Sequence, residues 1–310
     1  MPWLVDGVFR QGDSETLNDL PEVADRPRPT RFVHIVNPFR SPDGPSNDRV
    51  QAVSYESIRR ARAFQPEIPV DPAAVVAPVD RDCVPEGFEM AGVLDRDVRD
   101  VASFAHPVPL PLVCDVLDRG CAHARALAER HGEDPETTYV VFTNVDIGLM
   151  PYFYSVVADL VGRGYETLTI FRRTIPAIDP DPKRLASMYS EYGATHDGFD
   201  CFVFPLSQYD RHLRNEACIG RGFVMRGMLY NVVANAINMA IVRKAHLTFH
   251  LGDDKNWKDP KFEDSVQFNI EQAKTVLINL MQRDSATARK LFQFCERHRE
   301  PFKFTDTSKA

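Results

Sequence analysis

The sequence predicts an α/β fold with a mostly parallel central sheet and helices on both faces. Three observations predict it. Short apolar runs of β-formers alternate with longer helical patterns along most of the chain. The run Tyr139-Val140-Val141-Phe142 ends in Thr143-Asn144-Val145-Asp146, the pattern of a buried strand that delivers a carboxylate to the sheet rim. Ligands bind at that edge in open α/β folds. A second strand-like run, Leu247-Thr248-Phe249-His250, ends in a histidine followed by Leu251-Gly252-Asp253-Asp254-Lys255-Asn256-Trp257.

The chain has 310 residues and is 44% hydrophobic, enough for one large core with embellishments. A formal charge of −7 argues against non-specific nucleic-acid binding, which needs a basic face. The six cysteines are scattered and none forms a C-x-x-C pair, as expected of reduced, structural thiols. No basic-then-apolar leader opens the chain, and no apolar run approaches the ~20 residues that span a bilayer. A cytoplasmic protein without a membrane span is therefore expected.

Residues 1–30 are rich in Pro, Asp and Arg and read as an irregular arm. Arg31 to Asn37 is a short buried strand stopped by Pro38. The turn-rich segment Ser41 to Asn47 comes next, and Asp48 opens a helix over Arg49 to Phe64 with apolar positions at Val50, Val53, Ile58 and Ala61. Ala73 to Asp80 reads as the next strand. Residues 82–112 carry one alternating stretch and a Pro-rich loop. Cys114 to Arg130 is a helix, Tyr139 to Asn144 a strand, Pro151 to Val161 a helix closed by Gly162-Arg163-Gly164, and Thr167 to Phe171 a strand. Phe199 to Pro205 is a strand, Gly227 to Ile241 a helix and Leu247 to His250 the last strand. The tail reads as helical from Glu263 to Arg299. The domain expectation is thus an arm over 1–30, one main domain over 31–262, and a helical extension over 263–310.

The placement of these elements selects the candidate site residues. Asn144 and Asp146 at the strand end suit a hard divalent cation held against a diphosphate, or else a carboxylate capping the next turn. His250 can complete a metal's shell opposite a carboxylate, and Lys255 can neutralise phosphate as a point charge. A surface loop with an incidental histidine fits the same residues. Arg172-Arg173 can bind phosphate or an acceptor's carboxylate, or form surface ion pairs. Asp200 and Glu216 are candidate bases or acceptor contacts. Asn37-Pro38-Phe39 and Asp80 come after the first two strands, where a nucleotide's base and ribose are read in such sheets. Asp115 and Arg119 lie on the helix before the acidic strand and can face the same cleft. The chain lacks G-x-G-x-x-G, G-x-x-x-x-G-K-[ST] and G-x-S-x-G, which disfavours dinucleotide dehydrogenases, P-loop kinases and α/β-hydrolases.

On these two motifs the chain resembles the GT-A-fold glycosyltransferases, a Rossmann-like nucleotide-diphospho-sugar transferase superfamily. Asn144-Val145-Asp146 looks like a reduced D-x-D motif. His250 to Trp257 is similar to the H-x-x-G-x-x-K-P-W signature of the glycogenin-like retaining family, one residue shorter between His and Gly and with Asn256 in place of the proline. The resemblance implies a glycosyltransferase that moves a sugar from a nucleoside-diphosphate donor to an acceptor of unknown identity. It implies Mn²⁺ or Mg²⁺ on Asp146 and His250, with Lys255 on the diphosphate and Trp257 beside the donor. A non-catalytic nucleotide- or sugar-binding protein and a sugar nucleotidyltransferase remain open, as do retention and inversion.

Overall fold

The structure, a computed structural model, describes residues 23–41, 47–176, 178–196, 198–252 and 259–298, with the backbone alone of 4–6, 10–11, 14–15 and 45–46. In chain order the early strands are β1 (Leu4–Asp6), β2 (Arg10–Gln11), β3 (Ser14–Glu15), β4 (Arg31–Val36), β5 (Val70–Val76), β6 (Glu89–Val93) and β7 (Thr138–Thr143). They are followed by β8 (Gly148–Leu149), β9 (Thr167–Ile170), β10 (Arg173–Ile175), β11 (Ala194–Thr195), β12 (Cys201–Pro205), β13 (Met239–Val242) and β14 (Thr248–Leu251). The helices are α1 (Pro45–Phe64), α2 (Val113–His131), α3 (Phe153–Gly162), α4 (Leu185–Ser190), α5 (Leu206–Tyr209), α6 (Arg226–Asn235), α7 (Glu263–Met281) and α8 (Ser285–Arg297). No helix among the described residues is long and apolar enough to cross a membrane.

The chain forms two compact units. One comprises Met1–Asp95, Val116–Ser207 and Ile237–Asp254; the other comprises Arg96–Asp115, Gln208–Ala236 and Lys255–Ala310. The first unit is built on an eight-stranded sheet of order β1-β13-β9-β12-β7-β4-β5-β6. Every pairing in it is parallel except those of β12, which runs antiparallel to both β7 and β9. Helices cover both faces, as expected from the sequence. Ile58 and Ala61 of α1 and Phe153, Val157 and Leu160 of α3 pack with Phe32, Tyr139 and Val141 in one apolar cluster. On the other face Gly120 of α2 lies against Ile35, so close that a Cβ there would sit 2.4 Å from Ile35 Cδ1. Each Phe or Leu so buried contributes about 1.5–3 kcal/mol relative to leaving it exposed.

A second sheet, of order β11-β10-β14-β8, has no counterpart in the sequence-based expectation. β14 pairs parallel with β10 and antiparallel with β8, over an apolar cluster that includes Met150, Ile175, Leu185, Phe249 and Leu251. The last strand expected from the sequence is therefore in this smaller sheet and not in the central one.

The helix expected over Gly227 to Ile241 is two elements. α6 stops at Asn235, whose Nδ2 donates to the Asn231 carbonyl at 2.8 Å, and Ala236 takes an extended conformation (φ −69°, ψ 141°). Met239–Val242 then forms β13, fully buried between β9 and β1. The C-terminal helical run is likewise split, because Asp284 caps a new helix by accepting from the Thr287 N–H at 2.8 Å.

In the second unit α6 packs with α7 and α8. Beside them Val98, Leu112 and Cys218 form a small buried cluster, flanked by Phe104 and Phe268 in an edge-to-face contact at 5.6 Å.

Candidate functional site

The chain leaves β4 for β5 and β6 on one side and returns to β7 on the other side of β4. That reversal is a topological switch point, and the crevice at the carboxyl ends of β4 and β7 is where open α/β sheets take ligands. Ile35 pairs with Phe142, so the segments after β4 and β7, beginning at Asn37 and Asn144, emerge side by side.

The turn after β7 is held from below. The Asn144 carbonyl accepts the Ile147 N–H at 3.2 Å. Two buried hydroxyls of α1 secure the end of this turn and the strand beyond it. Ser54 Oγ donates to the Ile147 carbonyl at 2.6 Å, and the Leu149 N–H donates to Ser57 Oγ at 2.8 Å. β8 then lies against β14 with Gly148 opposite Phe249, and a Cβ at 148 would sit 2.3 Å from the Phe249 ring. This close approach brings the two distant motifs together. His250 Nε2 lies 3.2 Å from Asp146 Oδ2, and His250 Nδ1 donates to the Gly252 carbonyl at 2.8 Å.

The electrostatics favour the charged form of this pair. Partial burial works to raise the Asp146 carboxyl, but the bond and charge of His250, together with Arg172, outweigh it and hold it below its ordinary value. Burial depresses His250, yet the bond to Asp146 and its charge win and leave the imidazole above its ordinary value. Arg172 Nη1 donates to Asp200 at 2.9 Å, and its Nη2 lies 3.4 Å from His196 Nε2. Burial raises the Asp200 carboxyl, helped by the charge of Asp146 and opposed by Arg172.

Three buried polar atoms here have no hydrogen-bond partner among the described residues: Asp146 Oδ1, Arg172 Nε and the Oγ1 of Thr174, the residue level with His250 in the register. Orphans of this kind are what a bound anion, ion or water would satisfy. No group of three or more His, Cys, Asp or Glu that could hold a metal occurs among the described residues. The donors present are one carboxylate and one imidazole, and the free Oδ1 of Asp146 fits them to part of a divalent ion's shell.

The other rim is the segment after β4. Asn37 is buried and its Nδ2 donates to the Val75 carbonyl at 2.7 Å, which ties the ends of β4 and β5 together. Pro38 ends the strand. Phe39 exchanges backbone bonds with the Gln51 amide and keeps 36% of its surface exposed. The Arg40 N–H donates to Asp80 Oδ1 at 2.9 Å, so Asp80 braces this loop.

The remaining predicted residues are placed elsewhere or otherwise engaged. Arg173 points its guanidinium at the carbonyls of Tyr192, Gly193 (2.7 Å) and Lys244 (3.1 Å) and stacks on the Tyr192 ring at 3.7 Å. Arg119 packs on Gly92 and pairs with Asp95 at 3.2 Å. Asp115 and Glu216 belong to the second unit, where Arg96 binds both (2.7 and 3.2 Å) and Arg214 also binds Asp115 at 2.9 Å. Lys255 and Trp257 lie outside the described residues. Four residues around the rims are absent from the sequence-based candidates: His196, Gln51, Ser54 and Ser57. Polar spacing at every third helix position is the one signal that points to the last three.

No family model and no curated protein matches the chain. Among solved structures it is similar to S. aureus TarS residues 1–349 in complex with UDP-GlcNAc, with 9% identity over 86% of this chain and 72% of that one, at a TM-score of 0.46. It is also similar to the 4-diphosphocytidyl-2C-methyl-D-erythritol synthase of Anaerococcus prevotii, with 12% identity over 78% and 96% of the chains and a TM-score of 0.35. A third likeness is to the galactosyltransferase LgtC in complex with donor and acceptor sugar analogs, with 10% identity over 79% and 95% and a TM-score of 0.33.

Proposed function

We propose that the protein is a sugar-nucleotide-dependent glycosyltransferase, whose donor occupies the crevice at the ends of β4 and β7. The observation that carries this reading is the meeting of Asp146 and His250 at 3.2 Å beside the switch point, with Asp146 Oδ1 left unpaired. In this reading the loop of Asn37, Pro38 and Phe39, braced by Asp80, takes the nucleoside. Asn144 and Asp146 lie along the diphosphate, and Arg172 supplies a guanidinium to it. Asp146 and His250 would hold a Mn²⁺ or Mg²⁺ ion, which when bound neutralises charge on the leaving diphosphate. Lys255 and Trp257 are proposed on the donor side from the sequence motif alone.

The chain's own groups contribute orientation and electrostatics. Arg172 is held by Asp200, so its charge is fixed where charge would develop on the leaving group, without reorganisation. Asp200, 13% exposed at the side chain, is the acceptor-side carboxylate of this reading. Both candidate carboxylates are engaged by an arginine, Glu216 by Arg96 and Asp200 by Arg172, and the burial that raises the Asp200 carboxyl favours it as the base. The presence of Asn144 where a second carboxylate would strengthen ion binding favours a second reading, a nucleotide-binding protein without turnover.

The test is thermal unfolding with UDP, GDP, CDP and ADP, each with and without Mn²⁺, followed by donor turnover with the sugar nucleotide of whichever base responds. The transferase reading expects one nucleotide to raise the melting temperature in a Mn²⁺-dependent way, and Asp146→Ala to abolish turnover while the protein stays folded. A shift without turnover selects the binding protein. No shift with any nucleotide overturns both.

A further inference from the structure

Four polar residues of α1, Asp48, Gln51, Ser54 and Ser57, recur at every third position and form a slanted stripe that winds about halfway round the helix. Each bonds a rim segment of the crevice. The first two hold the segment after β4: the Ser41 N–H donates to Asp48 Oδ1 at 3.1 Å, Gln51 Nε2 donates to the Phe39 carbonyl at 2.8 Å, and the Phe39 N–H returns to Gln51 Oε1 at 3.4 Å. The last two hold the turn after β7, through Ser54 to the Ile147 carbonyl at 2.6 Å and the Leu149 N–H to Ser57 at 2.8 Å. The stripe is itself fixed. Tyr55 Oη donates to Gln51 Oε1 at 2.7 Å, and Ser57 Oγ donates to the Ser54 carbonyl at 2.6 Å. Gln51, Ser54 and Ser57 are 5%, 1% and 0% exposed, so the bonds of Ser54 and Ser57 are shielded from bulk water, while Asp48 at the start of the stripe is exposed.

We infer that α1 is the spacer of the site, with Gln51 and Ser54 as positioning residues that keep the nucleoside-side loop and the Asp146 turn in register. The inference rests on the nucleotide reading above. A rigid helix joined to both rims makes their separation a fixed quantity, and only a ligand that touches both rims depends on it. A nucleoside diphosphate reaches both. The bare nucleoside reaches one.

The experiment is a double-mutant cycle on binding, read by calorimetry on the full chain. The probes are the diphosphate among UDP, GDP, CDP and ADP that shifts the wild type most, with Mn²⁺, and its nucleoside. Gln51→Ala and Ser54→Ala are each expected to raise the diphosphate Kd about tenfold. The double variant should lose no more than the larger single loss, because register broken at one rim leaves nothing to lose at the other. Ser54→Ala should leave nucleoside affinity unchanged, and Ser54→Thr, which keeps the hydroxyl, should restore the diphosphate Kd. If an alanine variant does not fold, Gln51→Glu, which keeps the acceptor and loses the donor, enters the same cycle. Additive losses, or an equal loss for the nucleoside in Ser54→Ala, would show two separate local supports and overturn the inference. Silence of the wild type toward every nucleotide would instead bring down the nucleotide reading and this inference with it.

Discussion

The tightest steric demand in the site falls on its smallest residue. Gly148 sits opposite Phe249, whose ring is buried in the core of the second sheet and cannot swing away from an added methyl group 2.3 Å from Cζ. Gly148→Ala must therefore push β8 from β14 or force Phe249 off its rotamer, at a cost of about 1–3 kcal/mol. Urea unfolding checks the stability loss. The variant should also weaken the Mn²⁺-dependent nucleotide shift that the transferase reading expects, because this strand pairing helps bring Asp146 and His250 together. A stable variant with an unchanged shift would mean that the two side chains do not need that approach. The adjacent arginines teach a related lesson. Arg172 faces Asp200 in the site, while Arg173 spends its donors on three backbone carbonyls. Neighbouring residues near a strand end face opposite ways, and no composition rule says which one faces the crevice.

At the scale of elements, α8 is fixed by a short polar device at its first turn. Asp284 opens α8 by accepting from both the N–H and the Oγ1 of Thr287 at 2.8 Å, and those bonds hold its carboxyl below its ordinary value. A carboxyl depressed by folding stabilises above its unfolded pKa, and that contribution is lost as pH falls through the lowered value. Asp284→Ala should consequently lower the melting temperature near neutral pH, and the gap from wild type should close in strong acid, at a pH of about 2. A gap that persists there would show that the aspartate acts by something other than its charge. The long apolar runs were legible for the same local reason: β4, β5, β7 and β9 and helices α1 and α2 carry enough residues of one period to declare themselves. The second sheet was not legible. β8 has two residues, β10 three and β11 two, too few for a period, and β8 and β10 both pair with β14, far later in the chain. The antiparallel β12 hides for another reason, since a fully buried strand reads the same in either direction. The break between α6 and β13 was masked by the apolar residues on both sides of it, and Asn235 and Asn238 were its only polar marks. Within the site, Asp146 and His250 were legible because each ends an apolar strand. His196 was not, since the segment around it carries no such run.

At the scale of the whole molecule, two histidines give the fold opposite sensitivities to pH. His250 is raised by Asp146, so its contribution is complete below its unfolded pKa and disappears as pH climbs through the raised value. His34 works in the other direction. It is fully buried in the central sheet, between Tyr154 Oη at 2.7 Å and Thr143 Oγ1 at 2.9 Å, and burial pushes it down to about 3. The unfolded chain takes up this proton near pH 6.5, while the folded one refuses it down to about 3. Across that interval the unfolded state binds more protons, and stability falls with falling pH by about 1.4 kcal/mol per unit from this residue alone. Above the unfolded value His34 adds no slope. His34→Gln, which can still donate to one hydroxyl and accept from the other, is expected to be less stable at neutral pH and to lose one proton's worth of slope in mild acid. Urea midpoints of the two proteins between about pH 6 and pH 4 provide the comparison. Curves that run parallel over that range would mean His34 takes up its proton in the native sheet, and that the Tyr154 and Thr143 hydroxyls turn their oxygens to receive it.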